Sequence, residues 1–498
     1  MNFDSIITIA AFCCYLIFML CIGMYFVGKN RTTNEYFLGG RQLGSWVTGL
    51  SAQASDMSGW LLMGLPGAAY LSGISAGWIA IGLAVGTYLN WLFVAKRLRQ
   101  YTKTAGDAIT LPQFFKNRFH DESGWISVIA AVFILVFFLF YTASGFVSCA
   151  KLFSSVFGIP YLVSLVIGAV VVISYTFAGG FFAVCWTDFF QGILMFFCVL
   201  AVPTIAIFSM GGPTEFFPQV EAFNPNFLNM FVDGATGVPY TAMGILSLVA
   251  WGLGYFGQPH ILVRFMGIES PQAIKKSRRI ATIWVLISLT AAIMIGVSGR
   301  MFLGDSIVLT DGNQETIYIS MVAKIFPVFI AGIFLSAILA AIMSTADSQL
   351  LVTASALTED FYHNKIRKNA TDKELMWVSR ICVMAVAVIA VLIATNQNST
   401  ILGLVSYAWG GFGSAFGPLV LCSLFWRRTN KQGAYAGIIV GGVVDLVWAQ
   451  LSGGIFDLYE IVPGFVFGLL AIVVVSLLTP APGKEVTDEF DTYHQCAE

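Results

Sequence analysis

Ala52-Gln53-Ala54-Ser55-Asp56-Met57-Ser58-Gly59-Trp60 lies in the middle of an apolar run covering about residues 43–71. A Gln, two Ser and an Asp make a poor lipid-facing helix. Ser and Asp compete for backbone hydrogen bonds, and Gly59 loosens the chain, so the helix is expected to break there. A second interrupted run covers about 239–262. It contains Trp251-Gly252-Leu253-Gly254-Tyr255-Phe256-Gly257-Gln258-Pro259-His260. Three glycines and a proline are expected to unwind its cytoplasmic half. The two breaks are five apolar runs apart. Runs 2–6 and 7–11 would then be two halves of opposite topology, each opening on a broken helix. That pattern points to an inverted-repeat secondary transporter with its site near the membrane midplane.

The rest of the chain fits a membrane protein. Of 498 residues 57% are apolar and only 11% charged, against about a quarter charged in a soluble domain. Disorder is excluded by the hydrophobicity, and a net charge of −1 gives no basic field for nucleic acid. A transmembrane helix needs about 20 mostly apolar residues. Thirteen runs qualify, at about 5–27, 43–71, 74–95, 124–150, 160–178, 186–210, 239–262, 280–300, 326–352, 375–395, 399–425, 433–450 and 461–479. The start, Met1-Asn2-Phe3-Asp4, lacks the basic segment of a cleaved signal peptide. The expected organisation is a first helix and loop (1–42), a ten-helix core (43–425), two further helices (426–480) and a cytoplasmic tail (481–498).

Orientation follows from the basic residues. Of 26 Lys and Arg, all but Lys151, Arg300 and Lys324 collect in alternating loops, from Lys29, Arg31 and Arg41 through Arg264 and Lys275 to Arg427, Arg428 and Lys484. Those loops are expected in the cytoplasm, with the N-terminus outside, the C-terminus inside and no Lys or Arg deep in a span. The acidic loop at about 211–238 falls outside. The nine cysteines, mostly in apolar runs and with no CxxC, read as small apolar residues rather than disulfides or metal ligands. Four carboxylates, Asp56, Asp188, Asp347 and Asp445, lie in or near spans, where ionisable groups are costly and often functional. Asp188 and Asp347 could instead be solvated near the cytoplasmic surface, and Asp445 stands alone on a late helix.

The ninth run ends Leu339-Ala340-Ala341-Ile342-Met343-Ser344-Thr345-Ala346-Asp347-Ser348. Residues three and four apart share a helix face, so the Ala341 carbonyl and the Ser344 and Thr345 hydroxyls can meet. An unwound second helix could add the carbonyls of Ala54 and Met57. Such an all-oxygen set suits a hard alkali cation, although both hydroxyls could simply bond back to their own helix. Two familiar patterns are refused. Gly252-Leu253-Gly254-Tyr255-Phe256-Gly257 fits GxGxxG with no strand before it, and Gly73-Ile74-Ser75-Ala76-Gly77 fits GxSxG with no sheet to carry it. The glycines of Gly410-Gly411-Phe412-Gly413 read as close helix packing. No catalytic spacing links His120, His260, His363 and His494, so an enzyme is the weaker class.

Three stretches carry a closer likeness: 54–60, 251–259 and Ser336-Ala337-Ile338-Leu339-Ala340-Ala341-Ile342-Met343-Ser344-Thr345. Glu35-Tyr36-Phe37-Leu38-Gly39-Gly40-Arg41 and Gly403-Leu404-Val405-Ser406-Tyr407-Ala408-Trp409 add to it. With them the chain resembles the sodium–solute symporter family over about residues 1–480, and within it the members that carry proline. The resemblance implies an all-α membrane protein of about 13 helices with a LeuT-type 5+5 inverted-repeat core and two broken helices. It implies sodium-driven import of L-proline across a bacterial inner membrane, with Na+ as coupling ion and no enzymatic activity. By the same resemblance Ala54, Met57, Ala341, Ser344 and Thr345 hold sodium. Ser58, Gly59, Trp60, Tyr141, Trp251, Tyr255 and Pro259 form the substrate pocket, and Asp56, Asp188 and Arg41 serve coupling. Aromatic walls suit the proline ring and its iminium charge, and an unwound helix offers free amides to its carboxylate. A symporter of another small solute (a betaine, another amino acid or a sugar) and, further off, a channel or sensor on the same scaffold remain open.

Overall fold

The computed structural model describes residues 3–27, 32–176, 180–304, 309 and 313–497. Lys29 and Arg31, the last residues of the run 160–178 and the side chain of Cys496 lie outside the described residues. The described chain is helical, with only isolated bridges such as Leu43 to Ile268 between extended residues. We number the main helices α1 (Phe3–Val27), α2 (Ser45–Asp56), α3 (Leu65–Ser72), α4 (Gly77–Leu89), α5 (Trp125–Phe157), α6 (Tyr161–Thr176), α7 (Phe181–Ser209) and α8 (Ala242–Val249). Then follow α9 (Pro259–Gly267), α10 (Ile274–Leu303), α11 (Val328–Ser355), α12 (Asp372–Ala394), α13 (Ile401–Phe425), α14 (Lys431–Trp448), α15 (Ile461–Leu478) and α16 (Lys484–Ala497).

Nine helical runs among the described residues are long and apolar enough to cross a membrane, and Tyr161–Ser174 and Ala242–Gly257 are shorter apolar helices. This number is below thirteen for physical reasons. α2 is short and polar at its end. The helix after its break continues through α3 and α4, by way of a wide turn at Asn90–Val94, into Ala95–Thr104. The third run therefore reaches about two turns beyond the 74–95 read from the sequence.

The helices pack in two sets. α2, α4, α9 and α10 pack together with the tight turns of Ala250–Gly257, and α5, α6, α11, α12 and α13 pack on one another. α7 bridges α2, α10 and α11, and α1 lies against α11 and α7. At one end Glu315 ties α5 to the start of α13. Its Oε2 accepts from Lys151 Nζ on α5 at 2.5 Å and from the Ile401 amide at 3.0 Å, and its Oε1 accepts from the Leu402 amide at 3.1 Å. A carboxylate over the free amides of a helix N-terminus is favourable. The glycines expected to pack closely do so: Gly411 lies on the Phe137 ring and Gly413 on Ile461.

Candidate functional site

Both broken runs break, and they face each other. α2 ends where Met57 leaves helical geometry (φ −83°, ψ 72°), and the Ser58 amide turns back to the Asp56 carbonyl at 3.0 Å. The helix restarts as a widened turn, Trp60–Gly64. A Cβ on Gly59 would run into the Ser148 hydroxyl of α5, so only glycine allows this approach. In the second run the residues Ala250–Gly257 tighten into 3-10 turns, and Gln258 (φ −76°, ψ 106°) separates them from α9. The unwinding is therefore central. The later half of the run, expected to unwind, is the regular helix α9, because Pro259 sits at its first turn where a missing N–H costs nothing.

Asp56 organises the gap, wholly buried. Its Oδ2 accepts from the Tyr255 hydroxyl at 2.5 Å, while its backbone carbonyl accepts from Tyr141 OH at 2.8 Å and Trp60 Nε1 at 3.1 Å. The Trp60 amide reaches Ser58 Oγ at 3.4 Å. Asn90 Nδ2 donates to the Tyr255 carbonyl at 2.9 Å. One carboxylate, two phenols and one indole thus join the two breaks and α5. Asp56 Oδ1, both amide atoms of Gln53, Gln258 Oε1 and both ring nitrogens of His260 are buried without a protein partner. Such orphans are costly, about 1–3 kcal/mol each, and they give the gap donors and acceptors for a polar ligand.

Trp251 stands one layer away from Asp56. Its carbonyl accepts from Trp409 Nε1 at 2.7 Å, and its ring stacks on Trp409 (6.4 Å between centres) and lies tilted against Tyr459 (5.6 Å). Trp409 meets Tyr255 edge-on at 5.1 Å. Trp409 is a wall that the sequence reading did not single out, because one more aromatic in an apolar run looks like packing. His260, set aside in the sequence for want of a catalytic spacing, lies edge-on to Tyr141 at 5.9 Å.

Next to this gap, oxygens converge. Ser344 Oγ lies 2.8 Å from the Ala54 carbonyl and 3.2 Å from the Ala341 carbonyl, and Thr345 Oγ1 lies 3.5 Å from the Ala54 carbonyl. Both hydroxyls therefore reach across to α2, and that of Ser344 also reaches back to its own helix. Two carbonyls and two hydroxyls in one dry spot are the donor set of a hard cation. Met57 follows directly, at the break itself.

Asp188 lies below, with a partner the sequence reading had placed elsewhere. Arg264, expected in a loop, is fully buried on α9 and donates from Nη2 to Asp188 Oδ2 at 2.8 Å. Its Nε reaches Ser51 Oγ at 2.9 Å, its Nη1 the His260 carbonyl at 2.6 Å, and its Nη2 also Ser348 Oγ at 2.5 Å. Ser51 Oγ donates to Asp188 Oδ2 at 2.7 Å. Arg264 is thus no loop residue, and the option of a solvated Asp188 or Asp347 is overturned, since both are fully buried. Ser348 Oγ donates to the Ser344 carbonyl at 2.7 Å, so the ion pair is wired to the oxygen cage. Asp445 is also buried and accepts from Ser414 Oγ at 2.9 Å, away from this centre.

Arg41 does not join the site. It occupies a left-handed turn (φ 56°) and donates to Asp107 Oδ1 at 2.9 Å, the Met266 carbonyl at 2.7 Å and the Ala108 carbonyl at 2.9 Å. It fastens the end of α9 to the loop after Thr104. Burial pulls its guanidinium below the usual arginine range, and Asp107 opposes that.

Known proteins carry related sequences. The profile of the Sodium:solute symporter family matches residues 36–441. The chain is 49% identical to the high-affinity proline transporter PutP of Bacillus subtilis, over 95% of this chain and 99% of that protein. It is 48% identical to the sodium/proline symporter of Escherichia coli, over 97% of this chain and 95% of that one. Among solved structures, an outward-open Na+-coupled sialic acid symporter superposes with a TM-score of 0.80 at 22% identity, over 96% of this chain and 99% of that chain. That likeness shows the fold.

Proposed function

This chain belongs to the sodium:solute symporter family, and we propose that it imports L-proline with sodium by alternating access. It is a multi-pass membrane protein and a sodium-coupled symporter. Our fuller reading has thirteen spans, the core being two five-helix repeats of opposite topology. It lies in a bacterial inner membrane with the N-terminus outside and the C-terminus in the cytoplasm. The two facing breaks and the distribution of Lys and Arg support this reading.

One observation carries the coupling: the Ala54 carbonyl that meets Ser344 and Thr345 lies two residues before Asp56, which holds Tyr141, Trp60 and Tyr255. Sodium entering from outside would take the carbonyls of Ala54, Met57 and Ala341 and the hydroxyl oxygens of Ser344 and Thr345. The hydroxyl protons would turn away from the Ala54 carbonyl, and the end of α2 would be fixed. The same stretch of backbone presents Ser58, Gly59 and Trp60 to proline, between Tyr141, Tyr255 and Pro259, with Trp251 supporting the wall through Trp409. Asp56 shapes this segment through Tyr255. Asp188, paired with Arg264, links α7, α9 and α11 beneath the cage, and Arg41 steadies the end of α9.

The driving force suffices. One charge falling through 100 mV supplies about 2.3 kcal/mol. At about 1.4 kcal/mol per decade this supports roughly a 40-fold proline gradient, before any sodium gradient is added. Labelled-proline uptake into proteoliposomes, with and without an inward sodium gradient, tests the reading. Uptake is expected to need sodium and to vanish in Asp56→Ala. No proline uptake by folded protein moves the assignment to another solute, and sodium-driven uptake surviving in Asp56→Ala removes the role of that carboxylate.

A further inference from the structure

We infer that the C-terminal helix α16 is a strap across the cytoplasmic side of the transporter, and that Tyr493 holds the two helix sets together there. The inference rests on the alternating-access reading, in which the sets rock against each other. α16 carries Val486, Phe490 and Tyr493 at intervals of four and three, on one face. All three are buried, Tyr493 to 1% exposure. The Tyr493 ring stacks on Tyr101 at 4.2 Å between centres and 10° between planes. Tyr101 belongs to Ala95–Thr104, the continuation of α4 that packs on α9, so this contact is to the first set.

Phe490 also meets the Tyr101 ring edge-on at 6.2 Å, and further contacts of α16 are to the second set. The Tyr493 hydroxyl donates to the Leu424 carbonyl at the end of α13, at 3.4 Å. Arg427, just past α13, grips Asp491 with two bonds of 2.7 and 2.8 Å. Arg118 donates to the Ser423 carbonyl at 3.1 Å and lies 5.0 Å over the Phe490 ring. The segment carrying Arg118 packs on α5. His120 meets Glu489 at 2.9 Å.

A column of rings runs from this strap to the site. Tyr101 touches Phe114 (5.5 Å), which touches Phe115 (5.7 Å), and Phe115 stacks on Phe416 of α13 (6.2 Å). Phe416 meets Phe412, Phe412 meets Phe138 of α5 at 4.4 Å, and Phe138 meets His260 at 5.6 Å. The column begins at Tyr101 and ends at His260 in the first set, and the rings between them belong to the second set and the segment packed on it. Separating the sets on this side requires Tyr493 to leave either Tyr101 or the end of α13. The tail therefore sets how readily the site opens inward.

The test reads opening directly and does not depend on the identity of the solute. Cys422, buried on α13 beside Ser423, is the reporter. A membrane-impermeant thiol reagent is applied from the C-terminal face, and modification is resolved by site with mass spectrometry. Tyr493→Ala is expected to speed modification of Cys422 at least threefold. Tyr493→Phe, which keeps the stack on Tyr101 but gives up the bond to the Leu424 carbonyl, and Asp491→Asn are each expected to fall between the parent and Tyr493→Ala. Parent-like labelling in a Tyr493→Ala protein that still binds sodium overturns the strap. If Tyr493→Ala does not fold, Asp491→Asn decides, and labelling within 1.5-fold of the parent overturns it equally.

Discussion

Arg264 shows what a single residue can do that its sequence neighbours conceal. Its fork meets Asp188, Ser51 and Ser348, three groups on three helices, with no exposure to solvent. Breaking a buried ion pair strands a charge and costs about 3–5 kcal/mol, whereas replacing both partners by apolar residues is much milder. Arg264→Met and Asp188→Leu are each expected to destabilise the protein by about that much, and the double variant by far less than their sum. Unfolding in a denaturing-detergent titration measures all three, and a strictly additive double variant would contradict the pairing. Ser344 is a cage residue, touching two carbonyls at 2.8 and 3.2 Å. Ser344→Ala removes one oxygen of the set. The sodium concentration for half-maximal uptake is expected to rise about tenfold, a loss of about 1.4 kcal/mol. An unchanged sodium dependence would remove Ser344 from the ion site.

Elements explain which parts of this fold were legible. The breaks were readable because Gln, Ser and Asp, or several glycines, inside apolar helix leave few alternatives. Where the second break falls was not, since a proline starts a helix as readily as it stops one, and here it starts α9. The meeting of the Ser344 hydroxyl with the Ala341 carbonyl was legible from helical spacing. Trp409 and Arg264 were not, because their roles depend on long-range contacts with Trp251 and Asp188. Gly254 belongs to the same class: a Cβ there would strike the Trp409 indole. Gly254→Ala must push α13 away from the tight turns, and overpacking costs about 1–3 kcal/mol. The expected result is inserted protein whose sodium-driven uptake falls at least tenfold, measured beside its abundance in the membrane. The start of α5 adds a pH effect. Asp121 is held below the usual carboxylate range: burial pushes it up, but bonds from Ser123, Tyr435 and the Ile126 amide outweigh that. A lowered folded-state value means stability that is present above about pH 4 and is lost as the pH falls further. The thermal-stability gap between the parent and Asp121→Asn is expected to be constant at neutral pH and to close below about pH 4.

At the scale of the whole molecule, the proposed sodium and proline sites share one short stretch of backbone, from Ala54 to Trp60, and in that reading their affinities are linked. If sodium raises the affinity for the solute by some factor, the solute must raise the affinity for sodium by the same factor. A coupling of 1–3 kcal/mol, about 5–150-fold, is typical. In the proposed reading the link runs through Asp56, whose carboxylate holds Tyr255 in one helix set while its carbonyl holds Tyr141 in the other. Tyr255→Phe removes the hydroxyl from Asp56 and keeps the ring beside Trp409. Both affinities are expected to survive individually, but the two coupling factors should shrink together, by about fivefold or more. Equilibrium binding of sodium at zero and saturating proline, and of proline at zero and saturating sodium, gives both factors for each protein. Equal factors in the parent and equally reduced factors in Tyr255→Phe place the coupling in the Asp56–Tyr255 bond. A variant that loses proline affinity while its coupling factor stays unchanged would make Tyr255 a pocket wall and nothing more.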